Sequence, residues 1–227
     1  MAIQTATTSA LPIIEIRSRY LRAKRVLDIL FTLLIFIPLC LVMAIIAVCI
    51  RLDSKGSIFY RQKRVGLNGV EFDMLKFRSM YANSNDALHR QSIEKYMNGQ
   101  KIQDDGDAAM SYKQANDPRI TRVGRFIRKT SLDELPQFLN VLRGEMSLVG
   151  PRPPVPYEVE RYSQRDWLRL AGKPGLTGTW QVYGRSKVTF QDMVTMDIDY
   201  LQRQSLSEDL KLIFLTVPVM IQGRGGA

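Results

Sequence analysis

The sequence predicts an α/β protein, mostly helical, that enters one face of a membrane through a re-entrant helix-break-helix anchor, is monotopic, and carries a short β-hairpin. Three observations carry that expectation. Residues 29–50 form a run of 22 uncharged residues interrupted by Pro38. Two β-prone stretches, 57–64 and 70–77, flank the turn sequence Gly66-Leu67-Asn68-Gly69. From Ile120 onward, apolar residues recur mainly at helical spacing.

The anchor comes first. At ~1.5 Å per residue, an unbroken helix over this run would reach about 33 Å, close to the ~30 Å hydrocarbon core of a bilayer, so a spanning helix is the starting expectation. Its flanks oppose that: Arg17, Arg19, Arg22, Lys24 and Arg25 precede the run, and Arg51, Lys55, Arg61, Lys63 and Arg64 follow it. Cytoplasmic flanks are the ones enriched in Lys and Arg, so two basic ends ask both to stay on one side. Pro38 supplies the means, since it lacks an N–H and clashes with the preceding turn, at ~3 kcal/mol in a straight helix interior but little at a bend. A kinked single-pass helix is the other reading, and the segment taken alone admits both. The run starts too far in, and is too long, for a signal-peptide core, so it is expected to be retained.

The 227 residues leave room for one domain beside the anchor. The expected division is a basic interfacial segment at 1–25, the re-entrant helix at 26–50, and a cytoplasmic-face domain at 51–227 with a mobile polar loop at 82–116. That loop is either irregular or locally helical around 89–97. Helices are expected at 120–127, 132–142, 159–170 and 190–201. A final apolar run, 210–221, contains Lys211 and Pro218 and is too short for a second span. The net charge of +10 calls for an anionic partner: membrane lipid, a phosphorylated substrate or nucleic acid. Without a basic-aromatic stacking platform or a recognisable module, nucleic acid is not expected.

The densest chemical signal lies between Asp117 and Gln137. Arg119, Arg122, Arg125 and Arg128 recur every third residue, and a row of guanidinium groups along one side of a helix could hold a diphosphate. A solvated basic stripe is the plainer reading. Next come adjacent carboxylates, Asp133 and Glu134: one could act as a nucleophile toward phosphorus while the other holds a divalent cation. The competing explanation is a capping box, Ser131 as N-cap with Glu134 reaching back to its amide. In 147–154 the prolines would fix the direction of Arg152, which could then meet a phosphate; a helix terminator with a surface arginine is the alternative. Gln181 and Arg185 stand in a second turn-rich region whose amide and guanidinium donors could read a base or phosphates; a region whose Gly and Pro simply make turns is the plainer reading. Asp105-Gly106-Asp107 lacks a leading strand and reads as a solvated turn. The single histidine, His89, excludes a His-based triad or zinc site.

Together, Lys24-Arg25-x-x-Asp28 opening a proline-broken anchor, the Lys76-Phe77-Arg78-Ser79-Met80 motif, 117–137, Gly150-Pro151-Arg152-Pro153 and 181–185 resemble the bacterial sugar transferase family, the small monotopic phosphoglycosyl transferases. The resemblance covers about residues 20–223 in family order. It implies an enzyme at the cytoplasmic face of the bacterial inner membrane, moving a sugar 1-phosphate from a UDP-sugar to polyprenol (undecaprenyl) phosphate with release of UMP. Asp133 is then the nucleophile and Glu134 the Mg²⁺ ligand. Arg119, Arg122, Arg125, Arg128 and Arg152 are candidates for clamping phosphate, Gln181 and Arg185 for holding the nucleotide, Arg78 for binding substrate, and Lys24, Arg25, Asp28 and Pro38 are anchor residues. Many members carry Ser-Pro where this chain has Ile37-Pro38, which removes a hydroxyl that could bond a freed carbonyl at the bend. The extra amino-terminal spans of larger relatives are not expected. The pattern looks like the hexose 1-phosphate branch serving exopolysaccharide or lipopolysaccharide assembly. Anionic membrane lipid is an expected partner, and homo-oligomerisation is left open. A non-catalytic polybasic membrane adaptor is the reading from another class; it leaves Asp133, Glu134 and Arg152 without a role.

Overall fold

The apolar run forms the middle of one long helix, α1 (Ser18–Asp53), with Pro38 inside it. The computed structural model describes residues 14, 18–81, 87–99, 117–184 and 188–221. Among these, α1 is the one helix long and apolar enough to cross a membrane. Helical backbone passes through Pro38, so the expected helix-break-helix is not two separate helices; burial marks the middle instead. Lys24, Asp28 and Thr32 on the first arm and Ile46 and Ile50 on the second are buried, whereas no residue from 33 to 45 is. Leu30, Leu34, Ile37, Leu41, Ile45 and Val48 form an exposed apolar ridge at three- and four-residue spacing.

The two arms are held by different chemistry. On the first, Lys24 Nζ donates to Asp209 Oδ2 at 2.7 Å, and Arg25 donates to the carbonyls of Val141 and Leu142 at 2.5 and 2.7 Å. Asp28 Oδ1 accepts the Leu148 N–H at 3.1 Å, so each charge of the Lys-Arg-x-x-Asp motif ties the helix to the domain. On the second, Ile46 and Ile50 pack with Phe77, Ile127 and Leu135. There Arg78 Nη2 donates to Ser54 O at 2.6 Å, capping the end of α1, and Asp53 accepts the Val123 N–H at 3.0 Å.

The hairpin forms where expected, as β1 (Phe59–Val65) antiparallel to β2 (Glu71–Phe77), in register from Phe59↔Phe77 to Val65↔Glu71. Its turn needs left-handed backbone at Asn68 (φ 56) and Gly69 (φ 81), which the Asn-Gly pair supplies. The outer edge of β2 is closed by Asn140, whose Oδ1 accepts the Leu75 N–H at 3.0 Å and whose Nδ2 donates to Asp73 O at 2.8 Å.

Part of the polar stretch is helical, as α2 (Ala87–Met97). The rest of 82–116, including Asp105-Gly106-Asp107, lies outside the described residues. Then follow α3 (Arg122–Lys129), a 3₁₀ turn (Leu132–Glu134), α4 (Gln137–Arg143) and β3 (Ser147–Val149). After these come α5 (Pro156–Val159), α6 (Gln164–Trp167), a 3₁₀ turn (Leu168–Ala171), β4 (Gly175–Thr177), α7 (Thr179–Tyr183), α8 (Phe190–Arg203) and α9 (Leu206–Ile221). The single helix expected over 159–170 is broken because Ser163 and Asp166 form a reciprocal capping box that starts α6 afresh. Strands β3 and β4 pair in parallel, and a Cβ on Gly150 would fall against Lys173 O. Val141, Met146, Val149, Leu201 and Leu212 form the main core beneath Phe72 and Met74. A second cluster joins Trp180 to Phe190, Met193, Val194 and Ile198.

Candidate active site

The carboxylate pair is placed by α3. Thr121 Oγ1 accepts the Gly124 N–H at 2.9 Å to start the helix. At its far end Ser131 takes φ 57 and ψ 15, a left-handed residue that reverses the chain and lays the following 3₁₀ turn against β2. The Ser131 side chain makes no capping hydrogen bond, so the capping box that competed for Glu134 is not formed. Glu134 Oε1 instead accepts from Lys76 Nζ at 2.8 Å. The two side chains are 33% and 18% exposed, sheltered yet within reach of a ligand. Asp133 is half-buried beside it. Lys76 lies in the Lys76–Met80 motif but is not among the site candidates; a contact across 58 residues leaves no local trace in a sequence.

The arginine row divides. Three-residue steps on a helix of 3.6 residues per turn rotate by about 60° each, so such a row winds around the axis and does not keep to one side. Arg122 and Arg125 are exposed, together with Phe126, while Arg128 is half-buried. Arg119 precedes the helix and grips the buried Asp117 with Nε and Nη2, at 2.9 and 2.6 Å. That bond holds the Asp117 carboxyl below the usual carboxylate range, and Arg128 adds to the effect. Arg78, apart from its bond to the end of α1, has Nε and Nη1 buried without a hydrogen-bond partner among the described residues.

From Lys76 the hairpin face leads to the proline loop. Tyr60 lies opposite Lys76 in the register, and Tyr60, Gln62 and Arg64 alternate onto one face of β1. Arg64 is buried, donates to Gln62 Oε1 at 2.8 Å, and reaches Pro153 O at 2.8 Å. Four residues of strand, about 13 Å, separate the Tyr60 and Arg64 positions. Beyond them, Gln181 Oε1 is buried and unpartnered among the described residues, close to Gly178, whose own neighbour is Gly150 O. The loop bearing Arg152 and the Gln181 helix are thus brought together; Arg185 lies outside the described residues.

Beneath Arg152 lies a buried network that sequence reading missed. Arg169, 1% exposed, donates to Asp197 at 2.7 Å, Glu158 at 3.3 Å and Tyr162 Oη at 2.7 Å. Burial pushes the Asp197 carboxyl up to about 6, with Arg169 pulling the other way. The only local trace is charge itself, Asp192, Asp197, Asp199 and Arg203 on α8 and Arg169 in the 168–171 turn, and such charges ordinarily mark solvated faces.

No group of three or more His, Cys, Asp or Glu side chains that could enclose a metal occurs among the described residues. The Asp133–Glu134 pair still fits Mg²⁺, which is commonly held by one or two carboxylates with substrate phosphates and water completing the shell. Glu134 already faces a cation, the Lys76 ammonium.

Comparison with known proteins gives the family. A family model described as bacterial sugar transferase matches residues 19–223. The chain is 41% identical over 212 residues to the exopolysaccharide production protein ExoY of Rhizobium meliloti, covering 89% of this chain and 87% of that protein. It is 43% identical over 208 residues to the galactosyl transferase CpsE of Streptococcus agalactiae, 91% of this chain but 44% of the relative. The undecaprenyl-phosphate galactose phosphotransferase of Salmonella typhimurium is 42% identical over 208 residues, 92% of this chain and 42% of the relative. The chain therefore spans less than half of the last two and most of ExoY. With the match running from the first turns of α1 past the end of α9, the chain belongs to the bacterial sugar transferase family.

Proposed function

We propose that this chain is a phosphoglycosyl transferase that moves a hexose 1-phosphate from a UDP-sugar to polyprenol (undecaprenyl) phosphate, releasing UMP, as the initiating step of exopolysaccharide or lipopolysaccharide assembly. The observation that carries it is the Asp133–Glu134 turn, two adjacent half-buried carboxylates beside Lys76, where Ser131 forms no capping box. The relatives named as a galactosyl transferase and an undecaprenyl-phosphate galactose phosphotransferase support the same chemistry. In the first step an Asp133 carboxylate oxygen attacks the sugar-bearing β-phosphorus, a P–O bond forms, and the P–O bond to UMP breaks. In the second, an oxygen of polyprenol phosphate attacks that phosphorus and Asp133 leaves as free carboxylate. Mg²⁺ on Glu134 would neutralise charge on the diphosphate and so help UMP depart. Lys76 and Arg152 supply fixed positive charge toward the diphosphate, Gln181 a polar contact for the nucleotide, and Arg122 and Arg125 an exposed basic face for phosphate or anionic lipid.

The setting we propose is the cytoplasmic face of the bacterial inner membrane, with α1 entering and leaving one leaflet. Two observations support it: both arms dock on the same domain, and no residue from 33 to 45 is buried, which leaves an apolar ridge exposed around Pro38. Tags at Met1 and Ala227 should be cleaved by protease from the same side; opposite-side cleavage would restore the single-pass helix. For the chemistry, the test is UMP release from a panel of UDP-hexoses by purified protein with polyprenol phosphate and Mg²⁺. Release with one hexose donor, and phosphosugar appearing on the lipid, is the expected result. A chain that binds membranes but turns over no donor would be an adaptor.

A further inference from the structure

The segment 151–154, Pro-Arg-Pro-Pro, has a single backbone N–H, that of Arg152, and four carbonyls. Every one of those carbonyls is bonded, each by a different donor. Pro151 O accepts from Gly175 N at 2.9 Å and Pro154 O from Val65 N at 2.9 Å. Arg152 O accepts from Arg169 Nη2 at 3.3 Å, and Pro153 O from Arg64 Nη1 at 2.8 Å. Two of the four donors are therefore guanidinium groups, and both arginines are almost wholly buried, at 1% and 2% exposure.

Burying such a charge is costly unless it is paired and hydrogen-bonded, so an arginine placed there needs a structural reason. Arg169 has its balance in Asp197 and Glu158, and Tyr162 Oη, having accepted from Arg169, donates to Glu158 at 2.7 Å. Arg64 is fastened to Gln62. The consequence is local. Proline rings fix φ at 151, 153 and 154, leaving Arg152 as the residue whose φ is not locked by a ring. The peptide planes on either side of it are held through Pro151 O and Arg152 O, which sets the direction of the Arg152 Cα–Cβ bond.

We infer that Arg64 and Arg169 are positioning residues: they hold the 151–154 backbone so that Arg152 presents its guanidinium in one direction to the diphosphate of the nucleotide sugar. This rests on the reading of Arg152 as a phosphate ligand. It also says why the loop is packed on a charged network instead of an apolar one. Hydrocarbon can fill space beneath a loop but cannot donate hydrogen bonds to its carbonyls.

The test uses the full-length protein in detergent with the UDP-hexose it turns over, measuring kcat, KM for donor and acceptor, and melting temperature. Arg152→Ala, Arg64→Met, Arg169→Lys and the Arg64→Met/Arg152→Ala double variant are compared. We expect Arg64→Met to raise the donor KM about tenfold, below the ~10²-fold that a 1 Å misplacement can cause, with a smaller change in kcat and in acceptor KM. Arg169→Lys should act in the same direction. In the Arg152→Ala background Arg64→Met should add nothing further to the donor KM. If Arg152→Ala itself leaves the donor KM unchanged, the reading of Arg152 as a phosphate ligand fails. If Arg152→Ala raises it but Arg64→Met adds its full effect in both backgrounds, Arg64 supports the fold alone and the positioning inference is overturned. Should Arg169→Lys not fold, the Arg64→Met cycle decides.

Discussion

The molecule holds two pairs of carboxylates in opposite ways. Asp133 and Glu134 are neighbours in sequence, displayed on a one-turn 3₁₀ segment, with Glu134 one-third exposed and tied to Lys76 at 2.8 Å. Glu158 and Asp197 come from separate helices and meet in the interior, where Arg169 binds both and all three side chains are less than one-tenth exposed. The first arrangement leaves oxygen atoms that an incoming phosphorus or metal can reach. The second has its partners already, so its energy is spent on holding the fold around the proline loop. The two pairs thus differ in access: one is reachable from outside and the other is enclosed.

Mutation should separate the two pairs sharply. Asp133→Asn is expected to reduce UMP release to background while the melting temperature stays within a few degrees of the parent, because the change is nearly isosteric at a half-buried position. Arg169→Met should do the reverse and destabilise the protein by about 3–5 kcal/mol, since it strands two buried carboxylates. A well-folded, stable Arg169→Met protein would mean the interior network has been given too much weight. Chemical denaturation with a nucleotide-release assay on the same samples reads both.

A smaller contrast concerns two serines with the same local pattern. Ser163 and Asp166 form a true capping box, with Ser163 Oγ accepting the Asp166 N–H at 3.3 Å, so Ser163→Ala should lose about 1 kcal/mol. Ser131 is followed by Glu134 at the same spacing but makes no cap, so Ser131→Ala should stay within about 0.5 kcal/mol. Equal losses at the two sites would restore the cap as a rival explanation of Glu134.

The smallest expected effect is on pH dependence. Burial raises the folded Asp197 carboxyl to about 6 from the ordinary 3.8, so the folded state holds a proton that the unfolded state has released. Its contribution to stability is fully present below about pH 3.8 and is lost as pH rises through about 6. Asp117 has the opposite sign: Arg119 lowers its folded value, so its contribution is present above the ordinary value and is lost as pH falls through the lowered one. Asp197→Asn should therefore be less destabilising, relative to the parent, at pH 8 than at pH 5. A melting-temperature difference that does not change with pH would contradict the raised carboxyl.

Local chemistry was legible in the sequence, and long-range pairing was not. The hairpin could be read because Gly66-Leu67-Asn68-Gly69 contains its own turn instructions, and α8 because its apolar spacing is regular over 190–201. The Lys-Arg-x-x-Asp motif was recognised, but its partners Asp209, Val141, Leu142 and Leu148 lie more than 100 residues away and no spacing rule could supply them. The same holds for Lys76 and Glu134. Where local rules failed, a competing local rule had won: the box at Ser163 divided the helix expected over 159–170, and the left-handed Ser131 undid the box expected there. The arginine row misled because three-residue spacing was taken for a helix face.

The most direct test of Asp133 as the nucleophile is to trap its product. The protein is mixed with its UDP-hexose and Mg²⁺ without lipid acceptor, quenched, digested and mapped by mass spectrometry. A hexose-phosphate adduct on the peptide containing Asp133, absent from Asp133→Asn and discharged when polyprenol phosphate is added before the quench, is the expected result. An adduct on any other residue, or undiminished UMP release from Asp133→Asn, would contradict the mechanism.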